Sequence, residues 1–139
     1  MILGVDPGKK TALALIDNNK VIDTLHIEHY NLKIRDFINK LKEGTFIAIE
    51  RVHSLPMDGK RSSFTFGYSF GYIMSLIHYK FPFVLIEPSV WHKKLRIHSK
   101  QESINRVYEK FIYTTKNHNI ADAILIAEYG MRVIKDGRY

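Results

Sequence analysis

Short apolar runs separated by turn residues occur along the first part of the chain, and this pattern predicts strands. The first apolar run ends at Pro7-Gly8, the second ends at Asn18-Asn19, and a third run follows. Proline-glycine and paired asparagines are typical of the tight turns that join neighbouring strands. The pattern therefore predicts a hairpin and then a third strand, at residues 2–6, 11–16 and 21–27.

The remainder of the chain alternates between helical and strand-like spacing of apolar residues. The predicted elements are a helix at 34–41 that closes at Gly44, a strand at 46–50, a polar loop at 53–63, a helix at 63–78, a strand at 81–86 and helices at 88–95, 100–111 and 120–134. Hairpins first and strand–helix–strand crossovers later predict an α/β fold. We expect a mixed five-stranded sheet with helices on both faces, in a single domain spanning residues 1–139.

Composition narrows the class of protein. The 139 residues suit one domain, and the absence of cysteine excludes disulfides and thiolate metal sites. No apolar run approaches the ~20 residues of a membrane span. The amino terminus does not match a signal peptide, because Asp6 interrupts its apolar run. We therefore expect an intracellular protein with no secretion signal and no membrane contact.

The charge balance indicates the kind of partner. Lysine and arginine number 21 against 14 aspartates and glutamates, which gives a net charge of +7. Such an excess of basic residues, together with 8 tyrosines and 8 phenylalanines, favours binding to nucleic acid. A surface that is basic only for solubility is the alternative.

Acidic residues stand where the apolar pattern predicts buried elements. Asp6 and Glu50 each end an apolar strand, and Asp122 lies at the start of the last apolar helix. If these strands are neighbours, the carboxylates meet at one edge of the sheet and repel one another. A hard divalent cation with oxygen ligands would relieve that repulsion.

Each of these acids also has an ordinary structural interpretation. Asp6 can cap the turn at Pro7-Gly8, Glu50 can pair with Arg51 or a lysine, and Asp122 can cap its helix. The metal-site hypothesis depends on all three acids occurring together.

Five segments resemble, in order and spacing, the RuvC-type Holliday junction resolvases of the RNase H-like superfamily. The segments are GVDPGKKTALALID, IAIERVHSL, SSFTFGYSFGYIMSLI, EPSVWHKKL and HNIADAILIAEYG. The resemblance runs from Met1 to about Met131, and the short chain is most similar to the phage and viral branch. That branch would place the protein in a host cytoplasm or at a viral replication site.

The resemblance implies a homodimeric nuclease that nicks opposed strands of a four-way DNA junction and leaves 5′-phosphate and 3′-hydroxyl ends. It implies two Mg²⁺ ions, replaceable by Mn²⁺, held by Asp6, Glu50 and Asp122. Forks and Y-structures share the junction geometry and are further candidate substrates. A nuclease of this fold that acts on RNA or flaps would use the same acids and is one alternative. A weakly catalytic protein that binds branched DNA is another. A sugar-kinase-like or actin-like protein is disfavoured by the short chain.

The chain departs from the family at a fourth acidic position, three residues before the last aspartate. Asn119 stands there, and His118 precedes it. His118 is a candidate metal ligand or proton-transfer group, and Asn119 can offer an amide oxygen to the metal or cap the helix.

Basic residues give candidate DNA contacts. They are Lys9 and Lys10 after the first turn, Lys60 and Arg61 in the predicted loop, and Lys93, Lys94 and Arg96 where the resemblance places phosphate-binding lysines. His53, Leu55 or Met57 stands near the place where bacterial members carry an aromatic residue that opens the junction. Trp91 is expected in the core. A stripe of small residues, Ser63, Gly67, Gly71 and Ser75, either packs on the sheet or forms a dimer interface.

Overall fold

The computed structural model describes residues 1–28, 30–51 and 59–137, and these form a mixed sheet flanked by helices. The strands are β1 (Ile2–Asp6), β2 (Lys10–Asp17), β3 (Lys20–Glu28), β4 (Phe46–Glu50) and β5 (Phe83–Ile86). The helices are α1 (Leu32–Asn39), α2 (Lys60–Ile77), α3 (Pro88–Leu95), α4 (Lys100–Phe111) and α5 (His118–Lys135). No helix within the described ranges is long and apolar enough to cross a bilayer.

The five strands lie in the order β3-β2-β1-β4-β5. β1 pairs with β2 and β2 with β3 in antiparallel fashion, while β4 runs parallel to both β1 and β5. Asn18 and Asn19 have φ of 47° and 60° and form the turn of the second hairpin, as predicted. The predicted mixed five-stranded sheet is therefore confirmed.

Several predicted boundaries are wrong by a few residues. α1 ends at Asn39 rather than Gly44, because the backbone N–H of Lys40 already closes the last turn. α2 begins at Lys60, so Lys60 and Arg61 lie in its first turn and not in a loop. α5 begins at His118, because the side chain of Asn117 caps it. The rest of the predicted loop, with His53, Leu55 and Met57, lies outside the described residues.

The two faces of the sheet carry separate apolar cores, so the predicted helices on both faces are confirmed. α1 and α2 cover one face through Ile34, Ile38, Ile73 and Ile77, which pack on Leu3, Val5, Leu13, Ile47 and Ile49. α3, α4 and α5 cover the other face, where Trp91, Val107 and Ile124 join Ile2, Ala12 and Ala48 in one cluster. Successive residues of a strand point to opposite faces, so alternate positions of β1 and β4 belong to alternate cores.

Glycine brings α5 very close to the centre of the sheet. A Cβ atom at Gly4 would lie 1.9 Å from the carbonyl oxygen of Ala123, and one at Gly130 would lie 2.5 Å from the Cβ of Ala48. These gaps are too small for any side chain, so α5 rests on the backbone of β1 and on β4. This contact sets the height of the helix that carries Asp122.

Candidate active site

The strand register places Asp6 and Glu50 side by side. β1 and β4 are parallel, Val5 is opposite Ile49, and Asp6 and Glu50 are the next residues along the two strands. They point to the same face as Gly4 and Ala48, the face that α5 covers. The predicted meeting of these acids at one edge of the sheet is therefore present in the structure.

Asp122 completes the group from above the sheet. It lies in the second turn of α5, rather than the first as its sequence position indicated, and directly precedes Ala123 over Gly4. Burial, followed by the charges of Glu50 and Asp122, raises the pKa of Asp6 well above its ordinary value. The carboxylates thus lie near enough to repel one another in a poorly solvated place.

The carboxyl group of Asp122 is only partly compensated. Burial raises its pKa, while a hydrogen bond from Ser103 and the charges of His118, His92 and Lys100 act in the opposite direction. Its Oδ1 is buried and has no hydrogen-bond partner among the described residues. A buried carboxylate oxygen of this kind is costly unless a donor or a cation meets it.

The ordinary interpretation of Asp122 as a helix cap does not hold, and neither does the pairing of Glu50 with Arg51. Arg51 Nη1 lies 3.0 Å from Glu87 Oε1, so the arginine that follows Glu50 pairs with a different glutamate. The side chain of Asn117 caps α5, so Asp122 does not. Glu50 Oε2 instead accepts a hydrogen bond of 2.6 Å from Trp91 Nε1.

The residues that precede Asp122 face different partners. His118 is the first residue of α5, and its charge lowers the pKa values of both Asp122 and His26. The side-chain amide of Asn119 lies 3.0 Å from His26 Nε2 on β3. The side chain of Asn117 lies 2.6 Å from the other ring nitrogen, Nδ1.

The hydrogen bonds around His26 determine its protonation. Burial, followed by the charges of Lys10 and His118, lowers the pKa of His26, which favours the neutral ring. Asn117 Oδ1 accepts from the backbone N–H of Asn119 at 3.0 Å, so Asn117 Nδ2 donates to His26 Nδ1. Asn119 Nδ2 likewise faces His26 Nε2, and a neutral imidazole can accept a hydrogen bond at only one of its two ring nitrogens. Asn119 is therefore engaged with β3.

A pocket of about 380 Å³ opens beside Asp122, and the sequence analysis missed it. Its lining includes His92, His98, Ser99, Lys100 and Ser103. Burial is the main cause that lowers the pKa of His92, whose ring meets Trp91 edge-on at 3.9 Å between centroids. The sequence signal was available, since two histidines and two serines flank the basic cluster in WHKKLRIHSKQES.

The carboxylate oxygens at this edge suit a hard divalent cation, although they are not arranged as a complete coordination site. No three His, Asp or Glu side chains in the described ranges lie close enough together to hold an ion as they stand. Asp6 nevertheless meets the charges of Glu50 and Asp122, and Oδ1 of Asp122 has no hydrogen-bond partner among the described residues. Oxygen-only donor sets of this kind are those that Mg²⁺ and Mn²⁺ prefer.

The candidate DNA contacts lie in two exposed groups. Lys9 and Arg61 line one pocket of about 480 Å³, because the turn after β1 and the first turn of α2 share the acidic edge of the sheet. Lys10 and Lys60 are exposed near them. Lys93, Lys94 and Arg96 are exposed at the end of α3. Trp91 is 1% exposed, which confirms that it belongs to the core.

The stripe of small residues on α2 points away from the sheet. Ser69, Ile73 and Ile77 are the buried residues of this helix. A Cβ atom at Gly67 or Gly71 would meet no atom of the described residues within 4 Å, and both glycines are exposed. Packing of these glycines on the sheet is therefore excluded, and the interpretation as a dimer interface stays a prediction.

Comparison with known proteins gives matches in structure alone. No family model and no curated protein matches the chain. RuvC of T. thermophilus in complex with a Holliday junction substrate matches with a TM-score of 0.79 at 14% identity, over 99% of this chain and 96% of that one. A second Thermus thermophilus RuvC structure gives 0.73 at 14% identity, over 99% and 96% of the two chains. The Fowlpox virus resolvase in complex with substrate Holliday junction DNA gives 0.59 at 17% identity, over 95% and 99%.

Proposed function

Since the chain has the RNase H-like fold of RuvC and of a poxvirus resolvase, we propose that it is a metal-dependent endonuclease that resolves four-way DNA junctions. The observation that carries the proposal is the meeting of Asp6, Glu50 and Asp122 at the carboxyl edge of the sheet, where burial and mutual repulsion raise the pKa of Asp6. A group of acids that is only partly compensated, on a basic protein, suits a cation that in turn meets phosphate.

The acids would hold two Mg²⁺ ions, with Mn²⁺ as a substitute. When bound, these ions supply the positive charge that activates water and stabilises the leaving 3′ oxygen. Asp6 would hold the ions together with Glu50 and Asp122, and the close approach of α5 at Gly4 keeps Asp122 near the sheet. Of the two candidates for the fourth position we favour His118, because Asn119 is engaged by His26. His118 would exchange a proton with solvent beside Asp122.

The basic residues would position the DNA around this edge. Lys9 and Arg61 line one pocket, and Lys93, Lys94 and Arg96 lie at the end of α3, the helix that carries His92. Phosphate contacts of this kind fix the orientation of the duplex without reading its sequence. Four-way junctions, forks and Y-structures are the branched DNAs that such a surface would accept.

A dimer would supply the second cut. A junction with two-fold symmetry is cut symmetrically by an enzyme with two equivalent active sites. The exposed face of α2 carries the open glycines Gly67 and Gly71 with Phe64, which is 76% exposed, and Tyr68, which is 51% exposed. We propose this face as the contact between two copies of the chain.

Cleavage of a labelled synthetic four-way junction tests the proposal, with duplex and single-stranded controls in Mg²⁺, Mn²⁺ and EDTA. We expect paired nicks with 5′-phosphate ends on the junction alone and no cutting in EDTA. Asp6→Asn should abolish cleavage and keep junction binding, whereas Asp36→Asn, on exposed α1, should leave both intact. An Asp6→Asn protein that still cuts the junction would contradict the metal site.

A second candidate function is a binder of branched DNA with weak or no catalysis. The amide at Asn119, turned towards His26 rather than the acids, is the observation that favours it. Binding of the junction without nicks in either metal would support this candidate. Cleavage of RNA–DNA hybrids or flaps in the same experiment would keep the metal site and change the substrate.

A further inference from the structure

A buried hydrogen bond joins Trp91 on α3 to Glu50 at the end of β4. Trp91 Nε1 donates to Glu50 Oε2 at 2.6 Å, and Trp91 is 1% exposed. An indole N–H can only donate, and a buried donor needs an acceptor, so the bond fixes both partners. Because the acceptor is a carboxylate, the bond belongs to the stronger, charge-assisted class.

The indole is held in place independently of Glu50. Trp91 belongs to the apolar cluster of α3, α4 and α5, and the ring of His92 meets it edge-on. The start of α3 is joined to the end of β4 by the pair Arg51–Glu87 and by the backbone N–H of Arg51, which donates to the carbonyl of Ile86 at 2.8 Å. The position of the Trp91 N–H therefore does not depend on the Glu50 carboxylate.

We propose that Trp91 is a positioning residue that holds the Glu50 carboxylate in its place beside Asp6. Repulsion between the two acids favours rotamers of Glu50 that turn away, and a fixed indole N–H opposes this by holding one carboxylate oxygen. The inference rests on the proposed function, since it concerns the same carboxylate. Removal of a residue that hydrogen-bonds a metal-binding carboxylate, without binding the metal itself, typically lowers metal affinity 10- to 100-fold.

Binding of Mn²⁺ to the protein alone, measured by calorimetry, tests the inference without reference to cleavage. Trp91→Phe keeps a buried aromatic ring and removes the N–H. Tyr113→Phe is the matched control, because it removes an O–H that lies 3.1 Å from Thr24 Oγ1, away from the acids. We expect Trp91→Phe to weaken Mn²⁺ binding by about tenfold or more, and Tyr113→Phe to bind as the wild type does.

A spectroscopic measurement on the wild-type protein adds a readout that does not need the Trp91 variant to fold. Trp91 is the chain's single tryptophan, so the ultraviolet resonance Raman band that reports indole N–H hydrogen bonding belongs to this residue alone. We expect a strongly hydrogen-bonded indole in the wild type and a weakly bonded one in Glu50→Ala.

The outcomes separate this inference from the proposed function. Unchanged Mn²⁺ affinity in a folded Trp91→Phe protein, or the same Raman band in Glu50→Ala, overturns the role of Trp91 and leaves the nuclease proposal standing. If Trp91→Phe weakens Mn²⁺ binding but the wild type cuts no junction, the positioning role of Trp91 is supported and the proposed junction-cleaving activity is overturned. A wild type that binds no Mn²⁺ overturns both.

Discussion

At the scale of single residues, the position of Asp6 carries a cost to stability. Its carboxyl group is surrounded by the other acids at the end of a buried strand, and its pKa is raised by burial first and by Glu50 and Asp122 next. The folded protein therefore holds a proton on Asp6 at pH values where the unfolded chain, with a pKa near 3.8, has lost it. Without metal, Asp6 thus destabilises the fold as pH rises above about 4.

Replacement of Asp6 by asparagine should remove this effect. In EDTA at pH 8 we expect Asp6→Asn to melt several degrees above the wild type, with the difference shrinking towards pH 4, where Asp6 is protonated. Thermal melts of the two proteins across this pH range measure it. Adding Mg²⁺ should raise the melting temperature of the wild type and not that of the variant. Equal melting temperatures at pH 8 would show that Asp6 is already compensated within the protein.

The acids could be predicted from the sequence and their partners could not. Asp6 and Glu50 are visible because each ends an apolar strand, and strand parity then decides the face to which they point. The contact between Asn119 and His26 joins residues 93 positions apart on different elements, and nothing local signals it. The bond from Trp91 to Glu50 is hidden in the same way, because an apolar helix pattern explains Trp91 completely.

At the scale of elements, the height of α5 above the sheet decides where Asp122 lies. A Cβ atom at Gly4 would be 1.9 Å from the Ala123 carbonyl oxygen and 2.8 Å from the Ala127 backbone nitrogen. Both are backbone atoms, so the helix itself would have to move. Element boundaries, by contrast, depend on local contacts such as the Asn117 cap, which starts α5 two residues before the predicted position.

Gly4→Ala should therefore damage stability and cleavage together. We expect a loss of about 1–3 kcal/mol in the free energy of unfolding, typical of overpacking, and at least a tenfold loss of cleavage as Asp122 is displaced. Denaturant melts and junction cleavage assays measure the two effects. Gly59→Ala is the control, because a Cβ atom there meets nothing within 4 Å, and it should cost under about 1 kcal/mol. A fully active Gly4→Ala protein would mean that Asp122 does not need its present height.

The exposed face of α2 leads to a prediction about assembly. Gly71→Arg should convert a dimer into a monomer, because a long charged side chain would stand where two copies meet. The substitution also replaces glycine in an exposed helix, which favours the folded monomer, so loss of the dimer would not reflect unfolding. Sedimentation should give the mass of one 16.2 kDa chain for Gly71→Arg and twice that for the wild type. Asn105→Arg, exposed on α4, should stay dimeric, and a dimeric Gly71→Arg would place the interface elsewhere.

At the scale of the whole molecule, the net charge of +7 is divided between separate surfaces. The carboxyl edge of the sheet gathers the acids, the turn after β1 and the first turn of α2, because parallel strands bring those segments to one side. The alternation of hairpins and crossovers predicts a mixed sheet, whereas the position of β4 beside β1 stayed an open condition in the sequence. The residues that line the pocket at His92, His98 and Lys100 are visible in the sequence, but their position beside Asp122 could not be predicted, since it depends on the packing of α3, α4 and α5.

The salt dependence of junction binding tests which basic surface meets the DNA. Each phosphate contact that is lost should reduce the slope of log binding constant against log salt by about 0.9. Lys93→Ala with Lys94→Ala should therefore weaken binding and flatten the slope by about 2 if both lysines contact phosphates. Lys40→Ala with Lys42→Ala removes the same charge from exposed positions that follow α1, and should leave the slope unchanged. Equal slopes for the two double variants would mean that only net charge matters and that the end of α3 does not touch the DNA.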